Sequence, residues 1–266
     1  MHYETITVET RDAVSVFTLN RPDRLNAWIP KMSEELAHAL ETANDDTGIG
    51  AIIMTGAGRG FCAGADMNDT FKTRIEGGDP GENTAAGQGG MPAGLDWVDL
   101  CRRSKPMVAA VNGAAVGIGL TQILPFDVIV ASEKAKFGMG FIKMGLVPEL
   151  ASTHLLVQRM GFGRASEMCL SGRLYSGLEA ADVGLADHVA EPDALMAKAA
   201  EIADSFAANP DRQLRMTKTL LTRNGSPVDL SDVQQSETEL LRECWKSPEH
   251  AEAVNAFIEK RPPKFR

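Results

Sequence analysis

Short hydrophobic runs alternate with amphipathic segments along the first half of the chain. Residues 4–20 alternate apolar and polar side chains around an Arg-Asp-Ala turn, which predicts a half-buried β-hairpin. In residues 30–41 apolar side chains recur at four-residue spacing behind a proline, which predicts a helix. The apolar run over 50–56 ends in glycine and predicts a buried strand that leads into a loop.

The same order of strand, loop and helix returns in the middle of the chain. A predicted helix near 95–103 precedes an apolar strand over 106–111. A glycine-rich loop with a short helix then separates this strand from another over 126–132. Alternation of short buried strands with helices predicts an α/β fold whose helices pack outside the sheet.

From Ser152 onward the pattern becomes mostly helical. Ser176 and Glu179 form a capping-box motif at the start of a predicted helix. Amphipathic patterns predict further helices over 191–209, 229–246 and 248–259.

One segment, 77–94, is rich in glycine and has no hydrophobic period, so we expect a mobile loop there. A loop of this length inside a domain is usually functional or disordered. Because it lies between two candidate site segments, we expect a lid or an entrance.

Composition and charge exclude several classes of function. A net charge of −9 argues against a nucleic-acid surface, so any anionic ligand has to meet local basic residues. The four cysteines are far apart and form no C-x-x-C pair, which favours a reducing compartment and no structural zinc. The chain opens without a signal-peptide pattern, and its longest apolar region, 107–131, is interrupted by polar residues and glycines. We therefore expect a cytoplasmic protein with no membrane span.

Two glycine-containing loops, over 58–66 and 111–121, each follow a buried strand and precede a predicted helix. Backbone N–H groups at a helix start have no internal partner, and glycine lets a ligand approach the main chain. Two such loops that face one point would form an oxyanion hole; turn formation alone is the alternative. The chain lacks the dinucleotide, P-loop and nucleophile-elbow motifs, and Cys62 has no base nearby in sequence.

Six segments in this order resemble the enoyl-CoA hydratase/isomerase, or crotonase, superfamily almost from end to end. They are NRPDRLNA (20–27), GRGFCAGAD (58–66), AAVNGAAVGIGL (109–120), FDVIVASEKAKFG (126–138), GLVPE (145–149) and AFIEKRPPKF (256–265).

The resemblance implies a spiral of β-β-α repeats that forms two nearly perpendicular sheets. It divides the chain into a core over 1–200 and a helical region over 201–266 that trimerises and completes the coenzyme A site. It also implies acyl-CoA thioester substrates, no metal or redox cofactor, and a homotrimer or a dimer of trimers.

The resemblance also assigns residues to the site. It places the oxyanion donors on the backbone N–H groups of Ala65, after Gly64, and of Ile118, between Gly117 and Gly119. It places substrate and coenzyme A contacts at Arg24, Leu25, Ala27, Ala63, Asp66, Met67, Gly117, Thr121, Phe141, Phe257 and Lys260. The Ile118 side chain is then expected to narrow the pocket.

Thr121 and Phe141 occupy the two positions at which hydratases of the superfamily have glutamates. Neither side chain can act as a carboxylate base, and a phenyl ring displaces the water that a hydratase activates. Hydration by two glutamates is therefore disfavoured.

Glu149 follows Pro148. Judged by spacing alone, a proline followed by an acid favours a helix start at this position. A subset of the superfamily, the single-carboxylate isomerases of 3-enoyl-CoA and of epoxyphenylacetyl-CoA, has its acid after a similar GL-x-P turn. In that interpretation Glu149 moves a proton from C2 to C4 while the oxyanion hole holds the dienolate. The apolar neighbours expected to shield it from water are Phe141, Ile142, Leu146, Val147 and Leu150.

Two other functions stay open. A hydratase or another lyase would combine Glu149 with an acid from the region 66–82, and a silent acyl-CoA-binding protein would have no turnover at all. The candidate second acids are Asp66, Asp69, Glu76, Asp79 and Glu82. We expect structural roles for Asp66 and Asp127, and a surface or core position for His154.

Overall fold

The computed structural model describes residues 2–67, 94–225 and 229–264. The loop predicted over 77–94 lies outside these residues except for Gly94, so its role as a lid or an entrance stays a prediction.

The strands of the described residues form two sheets. They are β1 (Ile6–Arg11), β2 (Val14–Leu19), β3 (Ala51–Gly56), β4 (Met107–Val111), β5 (Ala114–Val116), β6 (Val128–Ser132), β7 (Lys136–Gly138), β8 (Tyr175–Ser176) and β9 (His188–Ala190). The larger sheet has the order β1-β2-β3-β4-β6-β9 and the smaller one β5-β7-β8. The predicted hairpin over 4–20 is confirmed as the antiparallel pair β1-β2, and the other pairs of the larger sheet are parallel.

The α-helices of the described residues lie between the strands and, at the C-terminal end, after them. They are α1 (Pro30–Asp45), α2 (Trp97–Arg103), α3 (Ile118–Thr121), α4 (Ser152–Met160), α5 (Phe162–Ser171), α6 (Gly177–Asp182), α7 (Leu195–Ala207), α8 (Asp211–Gly225), α9 (Leu230–Cys244) and α10 (Pro248–Ile258).

Local sequence signals account for several of these boundaries. Helix α1 begins at Pro30 as predicted and continues to Asp45, four residues beyond the predicted end. The capping box is confirmed: the Ser176 hydroxyl accepts from the Glu179 amide at 3.2 Å, and the Glu179 carboxylate accepts from the Ser176 amide at 2.7 Å. Helix α8 was not predicted from the sequence; its one buried residue is Lys218, and Met216, Leu220 and Leu221 are exposed.

Helices cover both faces of the larger sheet. On one face, alternate residues of β2, β3, β4 and β6 pack against Leu195, Ala199 and Ala203 of α7. On the other face, the intervening residues join a larger core that includes Met32 and Leu36 of α1. Both faces are therefore buried, which explains why strands such as β3 are buried along their whole length and mostly apolar.

The expected boundary at residue 200 falls inside α7, which packs along the larger sheet. A Cβ atom at Gly50 would lie 2.7 Å from the Ala207 Cα, so the last turn of α7 also contacts the sheet layer. Helices α8, α9 and α10 follow, and their role in trimerisation stays a prediction. None of the described helices combines the length and the apolar character that a membrane span requires.

Candidate active site

The two predicted glycine-containing loops lie side by side beyond the ends of β3 and β4. An isolated parallel bridge joins Cys62 to Ala115, with backbone hydrogen bonds of 2.8 and 3.1 Å on either side of it. Three residues beyond the bridge, the two segments reach Ala65 and Ile118. The structure therefore brings the two predicted donors onto neighbouring segments.

The Ala65 amide is oriented by pairing with the segment around Trp28. The Trp28 amide donates to the Gly64 carbonyl at 2.8 Å, and the Asp66 amide donates to the Trp28 carbonyl at 2.9 Å. Ala65 lies between these two hydrogen bonds. In a parallel bridge the N–H group of such a residue points away from the partner segment, here away from Trp28. Gly64 has φ +117°, which favours glycine there. Within the described residues no hydrogen bond is formed by the Ala65 amide.

The Ile118 amide is the first of helix α3. Gly117 precedes it with φ +54°, and its carbonyl accepts from the Leu120 and Thr121 amides at 2.9 Å each. The Ile118 N–H therefore has no intrahelical acceptor. A Cβ atom at Gly119 would lie 2.0 Å from the Cys62 carbonyl oxygen, so only glycine permits this approach of the two loops. The Ile118 side chain is buried in the main core.

The Cys62 side chain is unsuited to nucleophilic chemistry. It is fully buried, and burial raises the pKa of its thiol to about 11. Since the thiolate is the nucleophilic form, Cys62 stays a small buried side chain near neutral pH.

Glu149 lies in an irregular turn rather than in a helix. Helix α4 begins at Ser152, with Ala151 as its N-cap, so the alternative interpretation of Glu149 as a helix start was wrong. The two residues after Glu149, Leu150 and Ala151, both have left-handed backbone conformations, with φ +56° and +53°. This conformation costs a residue with a Cβ atom roughly 1–2 kcal/mol. Strain of this kind is concentrated at functional sites, and the Glu149 side chain is only 7% exposed.

Phe141 connects the Glu149 turn to the Ile118 loop. Its carbonyl accepts from the Leu146 amide at 2.9 Å, and its ring lies 4.0 Å from the position of a Cβ atom at Gly117. Phe141, Leu146 and Leu150 are buried, as expected for the apolar surroundings of Glu149, and Val147 is half-buried.

The expectation that Ile142 belongs to these surroundings was wrong. Its side chain is 45% exposed. It lies on the 3-10 helix Gly140–Met144, which turns it toward Gly172 instead.

Thr121, at the other position of a hydratase glutamate, is fully buried at the end of α3. Within the described residues its hydroxyl has no hydrogen-bond partner. A threonine hydroxyl does not act as a carboxylate base, so the structure offers no acid at either Thr121 or Phe141.

The loop expected at the nucleotide end lies directly beside the Ala65 segment. The Ala63 amide donates to the Leu25 carbonyl at 3.1 Å, and the Arg21 guanidinium donates to the Ala27 carbonyl. Arg24 is exposed, and Ala63, Leu25, Ala27 and Met67 are partly buried. The expected coenzyme A contacts in the N-terminal part of the chain are thus brought together.

Asp66 has a structural partner in this region. Its carboxylate forms an ion pair with Arg21 at 3.2 Å, and both side chains are largely buried. This pairing agrees with the predicted structural role of Asp66. Asp127 is also structural, because it accepts from the Met107 amide at 2.7 Å and pairs with buried Lys218 at 2.8 Å.

Phe257 and Lys260 are both exposed, at and just beyond the end of α10. This helix packs beside the 3-10 helix Gly140–Met144. In the part of the chain that the structure describes, no hydrogen bond or ion pair joins these two residues to the Arg24 loop. Their contribution to coenzyme A binding stays a prediction.

Of the five predicted second acids, Asp66 alone lies within the described residues, and it is paired with Arg21. Asp69, Glu76, Asp79 and Glu82 lie outside those residues. His154 is half-buried on α4, where burial and nearby Arg102 lower its pKa.

Sequence reasoning missed two residues that shape the site. Asn26 is fully buried with φ +54°, and its amide group donates to the Ala57 and Gly60 carbonyls at 2.9 and 2.8 Å. Asparagine tolerates this backbone conformation, which is a weak local signal. Glu237 of α9 accepts two hydrogen bonds from Thr153 of α4. No local pattern predicts that contact, because the partners are 84 residues apart.

Comparison with known proteins agrees with this architecture. The family model described as enoyl-CoA hydratase/isomerase matches residues 9–266. The 1,2-epoxyphenylacetyl-CoA isomerase of Escherichia coli K12 is 34% identical over 98% of both chains. A probable enoyl-CoA hydratase of Rhizobium meliloti is 32% identical over 100% of this chain and 99% of its own. A solved enoyl-CoA hydratase/isomerase from Pseudoalteromonas atlantica superimposes with a TM-score of 0.87 at 33% identity, covering 99% of this chain and 100% of its own.

Proposed function

Since the chain belongs to the enoyl-CoA hydratase/isomerase family, and is therefore an enzyme with a crotonase-type acyl-CoA activity, we propose that its reaction is an isomerisation. The double bond of a 3-enoyl-CoA moves to the 2-enoyl position. Glu149 is the proton-transfer group, and the amides of Ala65 and Ile118 form the oxyanion hole.

The proposed reaction needs no cofactor, because the proton removed at C2 is returned at C4. The Glu149 carboxylate removes a proton from C2, and the electron pair delocalises onto the thioester oxygen as a dienolate. The two amides donate to this oxygen, and each such donor is typically worth about 3 kcal/mol of transition-state stabilisation. The protonated Glu149 then returns the proton at C4, which leaves the enzyme unchanged and the double bond conjugated with the thioester.

The observation that supports this proposal most directly is a buried carboxylate at Glu149 together with the lack of an acid at either hydratase position. Glu149 is 7% exposed in an apolar turn, and the positions of the two hydratase glutamates hold Thr121 and Phe141. A single acid can remove and return one proton. Hydration requires in addition a group that holds and activates water, and the Phe141 ring reduces the space for it.

Hydration is the second candidate, because relatives at 32% identity are named probable enoyl-CoA hydratases. It would need a second acid besides Glu149, and Asp66 is already paired with Arg21. The relative named 1,2-epoxyphenylacetyl-CoA isomerase favours isomerisation instead.

Glu149→Gln tests the proposal, with exposed Glu133→Gln as the matched control. Each protein is incubated with a 3-enoyl-CoA and, separately, with a 2-enoyl-CoA, and the products are separated by chromatography. We expect the wild type and Glu133→Gln to convert the 3-enoyl-CoA, and Glu149→Gln to lose about 10²- to 10⁴-fold in kcat.

Two results would contradict the isomerase assignment. Rapid formation of 3-hydroxyacyl-CoA from the 2-enoyl-CoA, without double-bond migration, would indicate a hydratase. Binding of both thioesters with no turnover, and no effect of Glu149→Gln, would indicate a silent acyl-CoA-binding protein.

A further inference from the structure

The turn that holds Glu149 is fixed at both ends by helices of the C-terminal region. It runs from Gly145, where the 3-10 helix Gly140–Met144 ends, to the first residues of α4. The segment between them includes two consecutive left-handed residues, Leu150 and Ala151. The Ser152 amide donates to the Glu149 carbonyl at 3.1 Å within the segment, and contacts from outside add to this hydrogen bond.

At the start of the turn the contact comes from α10. The His250 Nδ1–H group donates to the Met144 carbonyl at 2.7 Å, and His250 is buried. A Cβ atom at Gly145 would lie 2.8 Å from the His250 backbone nitrogen. Helix α10 thus fixes the chain immediately before the turn.

At the end of the turn the contact comes from Glu237 of α9. Its Oε1 accepts from the Thr153 amide at 2.9 Å and from the Thr153 hydroxyl at 2.5 Å. The N-cap of α4 is Ala151, whose methyl group cannot cap the helix. Glu237 therefore supplies the capping acceptor from another helix, and its negative charge suits a helix N-terminus.

The Glu237 side chain is buried beside the start of α4. The side chain is 7% exposed. Burial raises the pKa of its carboxyl, while the Thr153 donors and the amides of Ala151 and Ser152 act in the opposite direction. Ala151 and Ser152 are the two residues that follow Leu150, so their amides lie at the end of the Glu149 turn.

We propose that Glu237 is a positioning residue for Glu149: by capping α4 it holds the strained Leu150–Ala151 turn in the conformation that directs the Glu149 carboxylate toward the substrate. The inference rests on the proposed function for its kinetic consequence. Glu237 itself touches the backbone of the turn and takes no part in proton transfer. Loss of this contact lets the turn relax, and a small displacement of a catalytic group is enough to slow the reaction.

The experiment compares Glu237→Ala with Glu179→Ala, which removes a capping carboxylate from α6, a helix outside the site. Both are assayed with a 3-enoyl-CoA at a temperature at which circular dichroism shows all variants folded. We expect Glu237→Ala to lower kcat at least tenfold with KM within twofold of the wild type. Glu179→Ala is expected to leave both constants within twofold.

Two further variants separate positioning from general stability. Glu237→Gln retains an oxygen that can accept from Thr153, so we expect kcat within about threefold of the wild type. Thr153→Val removes only the hydroxyl contact at an exposed residue and is the substitute if Glu237→Ala does not fold. Its expected effect is a three- to fivefold decrease in kcat, and a wild-type kcat would overturn the proposal.

The outcomes distinguish this inference from the proposed function. If Glu149→Gln is inactive and Glu237→Ala keeps the wild-type kcat, the positioning role is wrong and the isomerase assignment stands. If Glu149→Gln is fully active, the assignment of Glu149 fails and hydrogen exchange of the 149–153 amides decides. Faster exchange in Glu237→Ala than in Glu179→Ala would support the positioning role, and equal exchange would overturn it.

Discussion

At the scale of single residues, the site depends on positions where only one side-chain size fits. Gly119 allows the Ile118 loop to approach the Cys62 carbonyl, and Gly64 supplies the backbone conformation ahead of Ala65. Phe141 then contacts the Gly117 loop at the position where a hydratase would have a glutamate. The arrangement of donors and apolar surface is therefore set by small differences in side-chain volume.

Gly119→Ala tests this close approach. The added methyl group would meet the Cys62 carbonyl at 2.0 Å, which backbone movement has to relieve, so we expect a loss of roughly 1–3 kcal/mol in unfolding free energy. Gly163→Ala is the matched control, because that glycine lies within α5 with no atom within 4 Å of its added methyl group. It is expected to stabilise the protein by up to about 1 kcal/mol. Urea unfolding measures both, and equal stabilities would contradict the packing argument.

At the scale of elements, charged side chains hold the helix ends in place. Glu179 caps α6 within its own helix, whereas Glu237 caps α4 from α9. Lys218 of α8 donates to the Cys101 and Lys105 carbonyls near the end of α2. The first contact is local and visible as a motif, and the other two join elements far apart in sequence.

The α6 capping box predicts a pH dependence of stability. Hydrogen bonds from the Ser176 amide and hydroxyl, followed by that from Arg173, lower the pKa of Glu179 to about 2 from 4.5. A carboxyl whose pKa is lower in the folded state stabilises the protein above its unfolded pKa, and this stabilisation is lost as the pH falls. We expect Glu179→Gln to lower Tm at pH 7 and the difference from the wild type to disappear between about pH 4.5 and pH 2. A difference that stays constant over this range would contradict the assignment.

At the scale of the whole molecule, two of the C-terminal helices contact the Glu149 turn and a third exposes apolar side chains. One side of α9 and α10 contacts the Glu149 turn through Glu237 and His250. Helix α8 exposes Met216, Leu220 and Leu221, which are 55%, 57% and 67% exposed. Apolar side chains grouped on one helix are typical of an interaction surface.

Substitutions on this surface of α8 test whether it forms the interface of the predicted homotrimer or dimer of trimers. The double variant Leu220→Glu, Leu221→Glu is expected to lower the molar mass in light scattering from three or six chains to one. Leu178→Glu is the control, because Leu178 is similarly exposed but lies on α6. A wild-type protein that elutes as a single chain would contradict the oligomer prediction.

The sequence alone determined the parts of this protein that depend on local periodicity and local motifs. The β1-β2 hairpin, the start of α1, the α6 capping box and the glycine loops follow from neighbouring residues, because strand alternation, proline geometry and capping act within a few positions. The α/β class followed from the same patterns, and the family resemblance extended it to the crotonase fold, with which the solved relative agrees.

Only the tertiary structure decided how the Glu149 turn is held and what surrounds it. The sequence placed Glu149 in one interpretation at a helix start and Ile142 beside it, whereas the structure has a strained turn and an exposed Ile142. Helix α8 was not predicted although its pattern is amphipathic, and the Glu237 cap has no local motif. Their stabilising contacts join residues more than 80 positions apart, and the energies of such contacts depend on packing geometry that no local pattern encodes.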